Sequence, residues 1–396
     1  MSLAPLRALI YYVPTVAPVA NRALLAVTGS QAVEFLNGLV ASEVQAPHKP
    51  FYTAFLHPQG RVIHDTFVYT TTDATTGAKG FVVEYDARPG ELTTDLPALL
   101  KRYILRSKVK LRDVTNEYDV WQAWGSPQAE RFWDHERRWA FAKSGVVEPA
   151  WDVLNAWPWG TWDQALHDRR APGMGTRLLV RKGDKPEAAS DHDVASSDAY
   201  KLHRILHGVP EGTADIPPTQ AFPMESNLDV MGGLNFRKGC YVGQELTVRT
   251  YHTGAIRKRI LPVALHLPGE RPTLVQPSPT APHLPENITV TARLAPSDAN
   301  APPSSSSSSD PTSSDSPSPA PPKRTPRPRG TGRLLSNTHG VGLALLRLEQ
   351  VRGAEEGALR FELDVPTSGD GSEVTQIEAS HWWPHWWPRA PEGEAS

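Results

Sequence analysis

Cysteine is nearly absent: the chain of 396 residues has one, Cys240. A lone thiol excludes an intrachain disulfide and, with it, a secreted disulfide scaffold. It also excludes a zinc finger or a self-contained cysteine-ligated cluster, which take several thiolates from one chain. A single free thiol fits a reducing compartment. Long apolar runs are missing too. The stretch 8–20 is short and broken by Pro14 and Pro18, whereas a spanning helix needs about 20 apolar residues, so no membrane association is expected. Nor is there an excess of one charge: 41 Lys+Arg stand against 43 Asp+Glu, a net −2. That balance excludes a globally basic nucleic-acid binder and leaves only local basic patches. No acidic residue precedes Glu34, while Arg7 and Arg22 do; this is the compositional cue for the remnant of an organelle transit segment. The G-x-G-x-x-G, P-loop, H-E-x-x-H and G-x-S-x-G patterns are all absent, so nucleotide, zinc-protease and hydrolase readings have no support.

What is present divides unevenly. Residues 20–115 alternate strand-like and helix-like patterns. A strand over 23–28 leads into apolar residues at helical spacing, with Ser30 as the expected N-cap. Two strands are joined across His57-Pro58-Gln59-Gly60, a turn by its composition, and residues 96–105 form an amphipathic helix. Eight of the twelve tryptophans fall between Trp121 and Trp162, which predicts a packed cluster of their own. Residues 197–207 read as a helix stopped by Gly208 and Pro210. Beyond residue 256 the pattern is β, as in a small barrel or sandwich. That β region is interrupted: residues 301–330 contain ten Ser and nine Pro, too little apolar matter to offset the ordering entropy. Segment 296–330 is therefore expected to be a disordered insertion. The Trp-Trp-Pro repeat at 382–388 is expected to fold back over the β domain; Pro384 between His381 and His385 removes the helical i, i+4 metal geometry.

Chemistry concentrates at 235–245. Cys240 lies between Gly239 and Gly243, where the backbone can turn tightly and approach a ligand. Lys238 and Arg237 are adjacent cations, and nearby positive charge favours a thiolate. Gln244 and Glu245 add polar groups. The same thiol also suits a small buried hydrophobe in a core turn. One thiol cannot hold an iron–sulfur cluster alone, so any other ligands would come from a partner. The cations Lys101, Arg102, Arg106, Lys108, Lys110 and Arg112, and later Arg249, Arg257, Lys258 and Arg259, would face an anionic ligand or solvent. Asp65, Glu225, Asn227 and Asp229 suit acid–base work or turn hydrogen bonds equally.

The run Lys238-Gly239-Cys240-Tyr241-Val242-Gly243-Gln244-Glu245 resembles the K-G-C-Y-x-G-Q-E signature of the YgfZ-like family, relatives of the glycine-cleavage T-protein. Pro223 to Asp229, Gln59-Gly60-Arg61-Val62 and Tyr103 to Val109 look like further blocks of that family. The resemblance covers about residues 20–266 and, more weakly, 333–365. The nearest subgroup in appearance is the mitochondrial iron–sulfur cluster assembly factors, in a fungal-style form with a low-complexity insertion. The resemblance implies an α+β, three-lobed folate-binding T-protein-like fold: two interleaved α/β lobes and a C-terminal β-barrel. The expected organisation is an N-terminal extension 1–19, an interleaved α/β domain 20–115 and 196–255, and a Trp-rich lobe 116–195. A barrel of 256–295 and 331–388, interrupted by 296–330, and a tail 389–396 complete it. Implied too are work with A-type iron–sulfur carriers, client 4Fe–4S apoproteins and a place in the mitochondrial matrix. Carried over, Cys240 would be a shared cluster ligand or reactive thiol, with Lys238, Gly239, Tyr241, Gly243, Gln244 and Glu245 shaping its loop. Arg249, Arg257 and Lys258 would be pocket or partner cations, and Asp65, Glu225 and Asn227 folate-channel residues for tetrahydrofolate. The alternative activity is a tetrahydrofolate-dependent aminomethyl transfer.

Overall fold

The computed structural model describes residues 13–44, 48–72, 77–90, 94–126, 138–151, 157–270, 281, 283–295, 331–366 and 374–389. The expected disordered insertion, 296–330, lies outside the described residues, as do residues 390–396 of the tail.

A first antiparallel sheet runs in the order Phe51–Leu56, Val62–Thr72, Lys79–Asp86, Arg22–Thr28, Lys110–Asp113. Its Val62–Thr72 strand is buried from Val62 to Thr70, so the usual in–out alternation disappears: both faces meet protein. The polar residues of this strand are accommodated by specific partners. Thr66 Oγ1 donates to the Glu84 carbonyl at 2.5 Å and Thr70 Oγ1 to Asp163 Oδ1 at 2.8 Å.

A second sheet runs Ala165–His167, Thr176–Arg181, Tyr118–Trp124, Thr15–Pro18, Asp193–Val194. Thr15–Pro18, expected in an extension, is thus a strand of this sheet: Val16 and Ala17 are fully buried and pair with Ala123 and Gln122. Its alternation was too short to read from sequence. From Thr15 on, the chain therefore passes through the second sheet, builds the first between residues 22 and 113, and returns at Tyr118. One apolar core joins both, containing Leu36, Tyr52, Phe67 and Leu96 of the first region and Val120, Trp124 and Met174 of the second. Trp133 lies outside the described residues; among the described ones Trp151 and Trp159 pack edge to face at 6.4 Å, while Trp124 stacks on His203 at 4.5 Å, Trp159 also packs 6.1 Å from Tyr52, and Trp162 is half exposed, so they spread over the shared core and the surface and form no single separate cluster. Trp124 and Trp159 are buried members of the shared core, and Trp139 and Trp157 pack against it.

Residues Lys258–His266, Val341–Arg347, Gly332–Thr338, Thr289–Leu294, Leu359–Pro366 and Val374–His381 close into a six-stranded barrel. Closure leaves no free edge strand. Its interior holds Leu261, Val263, Leu334, Leu346 and Leu363. The barrel is clamped to the rest by Arg259, whose Nη1 donates to Asp229 Oδ1 at 2.5 Å and to the Met224 carbonyl at 2.6 Å. The Trp-Trp-Pro segment reaches back beyond the barrel: Trp386 is buried and its Nε1 donates to the His207 carbonyl at 3.0 Å. Among the described residues, no helix is long and apolar enough to cross a membrane.

Candidate functional site

The cysteine loop is held at both ends. At its start Asn235 N donates to the Ala41 carbonyl at 2.9 Å, and Asn235 Oδ1 accepts from Arg237 N at 2.9 Å, an Asx-type turn. At its end Val242 N donates to the Gly38 carbonyl at 3.1 Å, Gln244 Oε1 accepts from Tyr241 N at 3.2 Å, and Tyr241 Oη bonds Thr247 Oγ1 at 2.9 Å. Gly243 has φ +83°, and a Cβ there would collide with the His57 carbonyl and Leu56. Gly60, at φ +79°, lies just as close to Leu246. The two glycines let the His57–Gly60 turn and the start of the Gln244–Thr253 helix touch backbone to backbone. The two family blocks read separately in the sequence therefore form one structure.

Between these anchors Cys240 is exposed. Gly239 is exposed as well, and a Cβ added there would meet nothing within 4 Å. The approach to the thiol is open, so Gly239 is not required by crowding within this chain. Lys238 departs from expectation. Its ammonium turns inward and donates to the carbonyls of Asn37 and Val40, both at 2.7 Å, and of Ser42 at 3.0 Å. It satisfies the orphan Asn37 carbonyl at the end of the Ala32–Asn37 helix and two carbonyls of the segment that follows. Burial pushes its pKa down to about 8. Lys238 is committed to the loop's base, so the expected pairing of cation and thiolate is not made by its ammonium. Arg237 instead points to Glu148, at 3.6 Å. Glu245, Arg249 and Arg257 are exposed, and Lys258 is half-buried beside Glu225, whose carboxyl burial raises and Lys258 and Arg61 partly restore. Among the described residues, no group of three or more His, Cys, Asp or Glu is arranged to hold a metal ion.

Asp65, Glu225 and Asn227 do not share one electrostatic environment. Asn227 is buried and donates to the Ile260 carbonyl at 2.7 Å, tying the loop before the cysteine to the barrel. Glu225 faces Lys258, Arg61, Arg347 and Arg259. Asp65 lies in the interior, where burial raises its pKa to about 6 against the partial opposition of Arg22. Its Oδ1 accepts from Gly212 N at 3.0 Å, while Oδ2 and the nearby Tyr52 Oη have no hydrogen-bond partner among the described residues.

Asp65 borders a buried ion network that sequence reasoning missed. Arg177, on the second sheet, donates through Nη2 to Glu84 Oε1 of the first sheet at 2.5 Å and through Nη1 to Tyr200 Oη at 2.7 Å. Arg170 forks onto Asp168 at 2.9 and 2.7 Å and pairs with Glu211 at 2.8 Å. Arg22 reaches Glu84 at 2.6 Å, and Tyr200 Oη donates to Glu211 Oε2 at 2.6 Å. Burial alone would raise the Glu84 and Glu211 pKa values. Arg177 with Arg22, and Arg177 with Arg170, outweigh it and hold both below the usual range. The available signal was a charged residue inside an apolar strand: Asp65, Glu84 and Arg177 each interrupt one.

The architecture matches a solved aminomethyltransferase T of the glycine cleavage system from Bartonella henselae, with a TM-score of 0.52, 13% identity, and coverage of 96% of this chain and 88% of that one. The fold is thus of the glycine-cleavage T-protein class. Residues 257–389 match the family described as CAF17, C-terminal beta-barrel domain. Three fungal proteins named iron-sulfur cluster assembly factor IBA57 homolog, mitochondrial, align along nearly the whole chain. The protein from Cryptococcus neoformans is 35% identical over 93% of this chain and 94% of its own. Those from Coccidioides immitis and Mycosarcoma maydis are 36% and 33% identical over 90% and 94% of this chain and 74% and 85% of their own. The chain belongs to the IBA57 family.

Proposed function

We propose that this chain is a mitochondrial iron–sulfur cluster assembly factor that works with A-type carriers in the matrix to mature 4Fe–4S proteins. Cys240 supplies one ligand to a cluster shared with the carrier. The observation that carries this reading is an exposed thiol at the tip of a loop anchored on both sides, in a chain with no second cysteine. A cluster draws on several protein ligands, so a single fixed thiol suits a site completed by a partner. Tyr241, Gly243 and Gln244 fix the loop, Lys238 anchors its base, and the open surface at Gly239 leaves room for the partner. Glu245 and Arg249 lie on the exposed part of the same helix, and with Arg257 and Lys258 they are the polar groups such a partner would meet. The names of the relatives support the role in cluster assembly.

Tetrahydrofolate would find unused hydrogen-bonding capacity at Tyr52 Oη and Asp65 Oδ2; Glu225 and Asn227 do not converge with them. Aminomethyl transfer has no observation in its favour and is not adopted. The test is maturation of mitochondrial 4Fe–4S enzymes in cells that depend on this protein. Cys240→Ser is expected to lose client activity while the protein stays folded and abundant. Client maturation equal to wild type would remove Cys240 as a ligand.

A further inference from the structure

A second exposed surface lies at the start of the Ala32–Asn37 helix, whose far end receives the cysteine loop. Between Asp95 and Asp113 the chain has no acidic residue. Lys101, Arg102, Arg106, Lys108 and Lys110 are all exposed, and none makes an ion pair among the described residues. Lys101 and Arg102 complement the C-terminal dipole of the Leu96–Ile104 helix. Arg106, Lys108 and Lys110 lie past its end, where that explanation stops.

Leu105 stands in the middle of this patch, 87% exposed. Its backbone is at φ 44°, ψ −104°, and Ser107 N donates to the Ile104 carbonyl at 2.7 Å. These values correspond to the first central position of a type II′ turn, about +60° and −120°, where glycine is the favoured residue. A leucine here is strained by its backbone and gains nothing from burial. Strain of this kind collects at functional surfaces. The turn is fixed in place: Lys108 N donates to Gln31 Oε1 at 2.7 Å, and Gly29 packs on the Lys108 carbonyl. Gln31 and Gly29 precede the helix Ala32–Asn37, whose opposite end receives Lys238 and Val242 of the cysteine loop. A six-residue helix is about 9 Å long, so the two loops bracket one short rigid element.

We propose that the Leu105 turn and its cations form a docking surface for an acidic protein face, with Leu105 entering an apolar socket rimmed by carboxylates. Charge complementarity selects the acidic partner. RNA would use the cations but reads bases through aromatic stacking, which a bare leucine cannot provide. A bilayer would gain one side chain only. The occupant is the cluster carrier; that assignment rests on the function proposed above.

The experiment measures binding of the purified carrier, apo and cluster-loaded, to Leu105→Gly, Arg106→Glu and wild type at about 50 and 200 mM salt, together with cluster retention and thermal unfolding of each. Glycine relieves the turn, so Leu105→Gly is expected to melt about 2 °C higher yet to bind the carrier about tenfold or more weakly. Arg106→Glu is expected to bind about tenfold more weakly and with less salt dependence, at unchanged melting temperature. A merely structural role for Leu105 would not raise stability and lower affinity together. Carrier binding unaffected by Leu105→Gly would overturn the proposal. So would single-stranded RNA or cardiolipin vesicles that bind wild type and lose Leu105→Gly while the carrier does not. A wild-type complex that retains the cluster but is insensitive to both substitutions would sink this surface and leave the Cys240 function standing. Docking lost in both variants, with no cluster retained by wild type, would do the reverse. No carrier binding by any form would sink both.

Discussion

Around Cys240 the chain directs its hydrogen bonds to holding a backbone shape and leaves the reactive atom in solvent. Around Arg177 it does the opposite, burying guanidiniums and carboxylates until almost every charged atom meets another. The residue types of the first region lie close together in sequence, but its bracing comes from the carbonyls of Asn37, Gly38, Val40, Ala41 and Ser42, far away along the chain, and from the turn at His57–Gly60. The second gathers Arg22, Asp65, Glu84, Arg170, Arg177 and Glu211 from strands and loops spread across nearly two hundred residues. The contrast separates two arrangements: the ion network joins the two sheets, and the cysteine loop holds an exposed thiol on the frame so formed.

The largest expected effect tests the division directly. Arg177→Met leaves Glu84 and Glu211 buried beside a missing partner and should lower unfolding stability by about 3–5 kcal/mol, read by urea denaturation at pH 7. Cys240→Ser should change it by no more than about 0.5 kcal/mol. Equal losses in the two variants would erase the distinction.

Within the loop, Gly243→Ala forces a Cβ into the His57 carbonyl at positive φ and should cost about 2 kcal/mol or more. Gly239→Ala, with open space around it, should stay within about 0.5 kcal/mol. Thermal melts of the pair show whether the two signature glycines serve different ends, one for the fold and one for access.

The smallest effect concerns pH. Asp65 has a folded pKa of about 6 against an ordinary 3.8. Between these values the folded state holds more protons than the unfolded chain, so this group's contribution falls as pH rises through the window. Asp65→Asn keeps an acceptor for Gly212 N and removes the buried charge. It should be more stable than wild type by about 1–3 kcal/mol at pH 7.5, with the advantage vanishing near pH 4. Glu84 and Glu211 act in the other direction: their folded pKa values are depressed, so their stabilisation is present above the ordinary carboxylate range and lost on acidification. Denaturation curves at about pH 7.5, about 4 and about 3 check both signs, the first step reporting Asp65 and the second the two glutamates.

The same comparison explains what was legible in the sequence. The cysteine loop was readable because its residue types and spacing lie within eleven positions. The main strands of the first sheet and four barrel strands followed from alternation and turn residues. The expected N-cap at Ser30 failed because Gln31 begins the helix and uses its side chain on Lys108 instead. Thr15–Pro18 was too short to show a period, and its proline concealed a strand. The direction of Lys238 was not legible, because closeness to Cys240 in sequence says nothing about where the ammonium points, and the carbonyls of Asn37, Val40 and Ser42 take it inward. Arg170 and Glu211 drew no reading from the sequence, since nothing local shows that the two meet in the interior.

The most direct test mixes the protein anaerobically with a cluster-loaded A-type carrier and follows visible absorption through size exclusion, comparing wild type with Cys240→Ser. The account predicts a wild-type complex that retains the cluster chromophore and a Cys240→Ser protein that does not. Equal retention by both, or no interaction of either with the carrier, would contradict Cys240 as a shared cluster ligand.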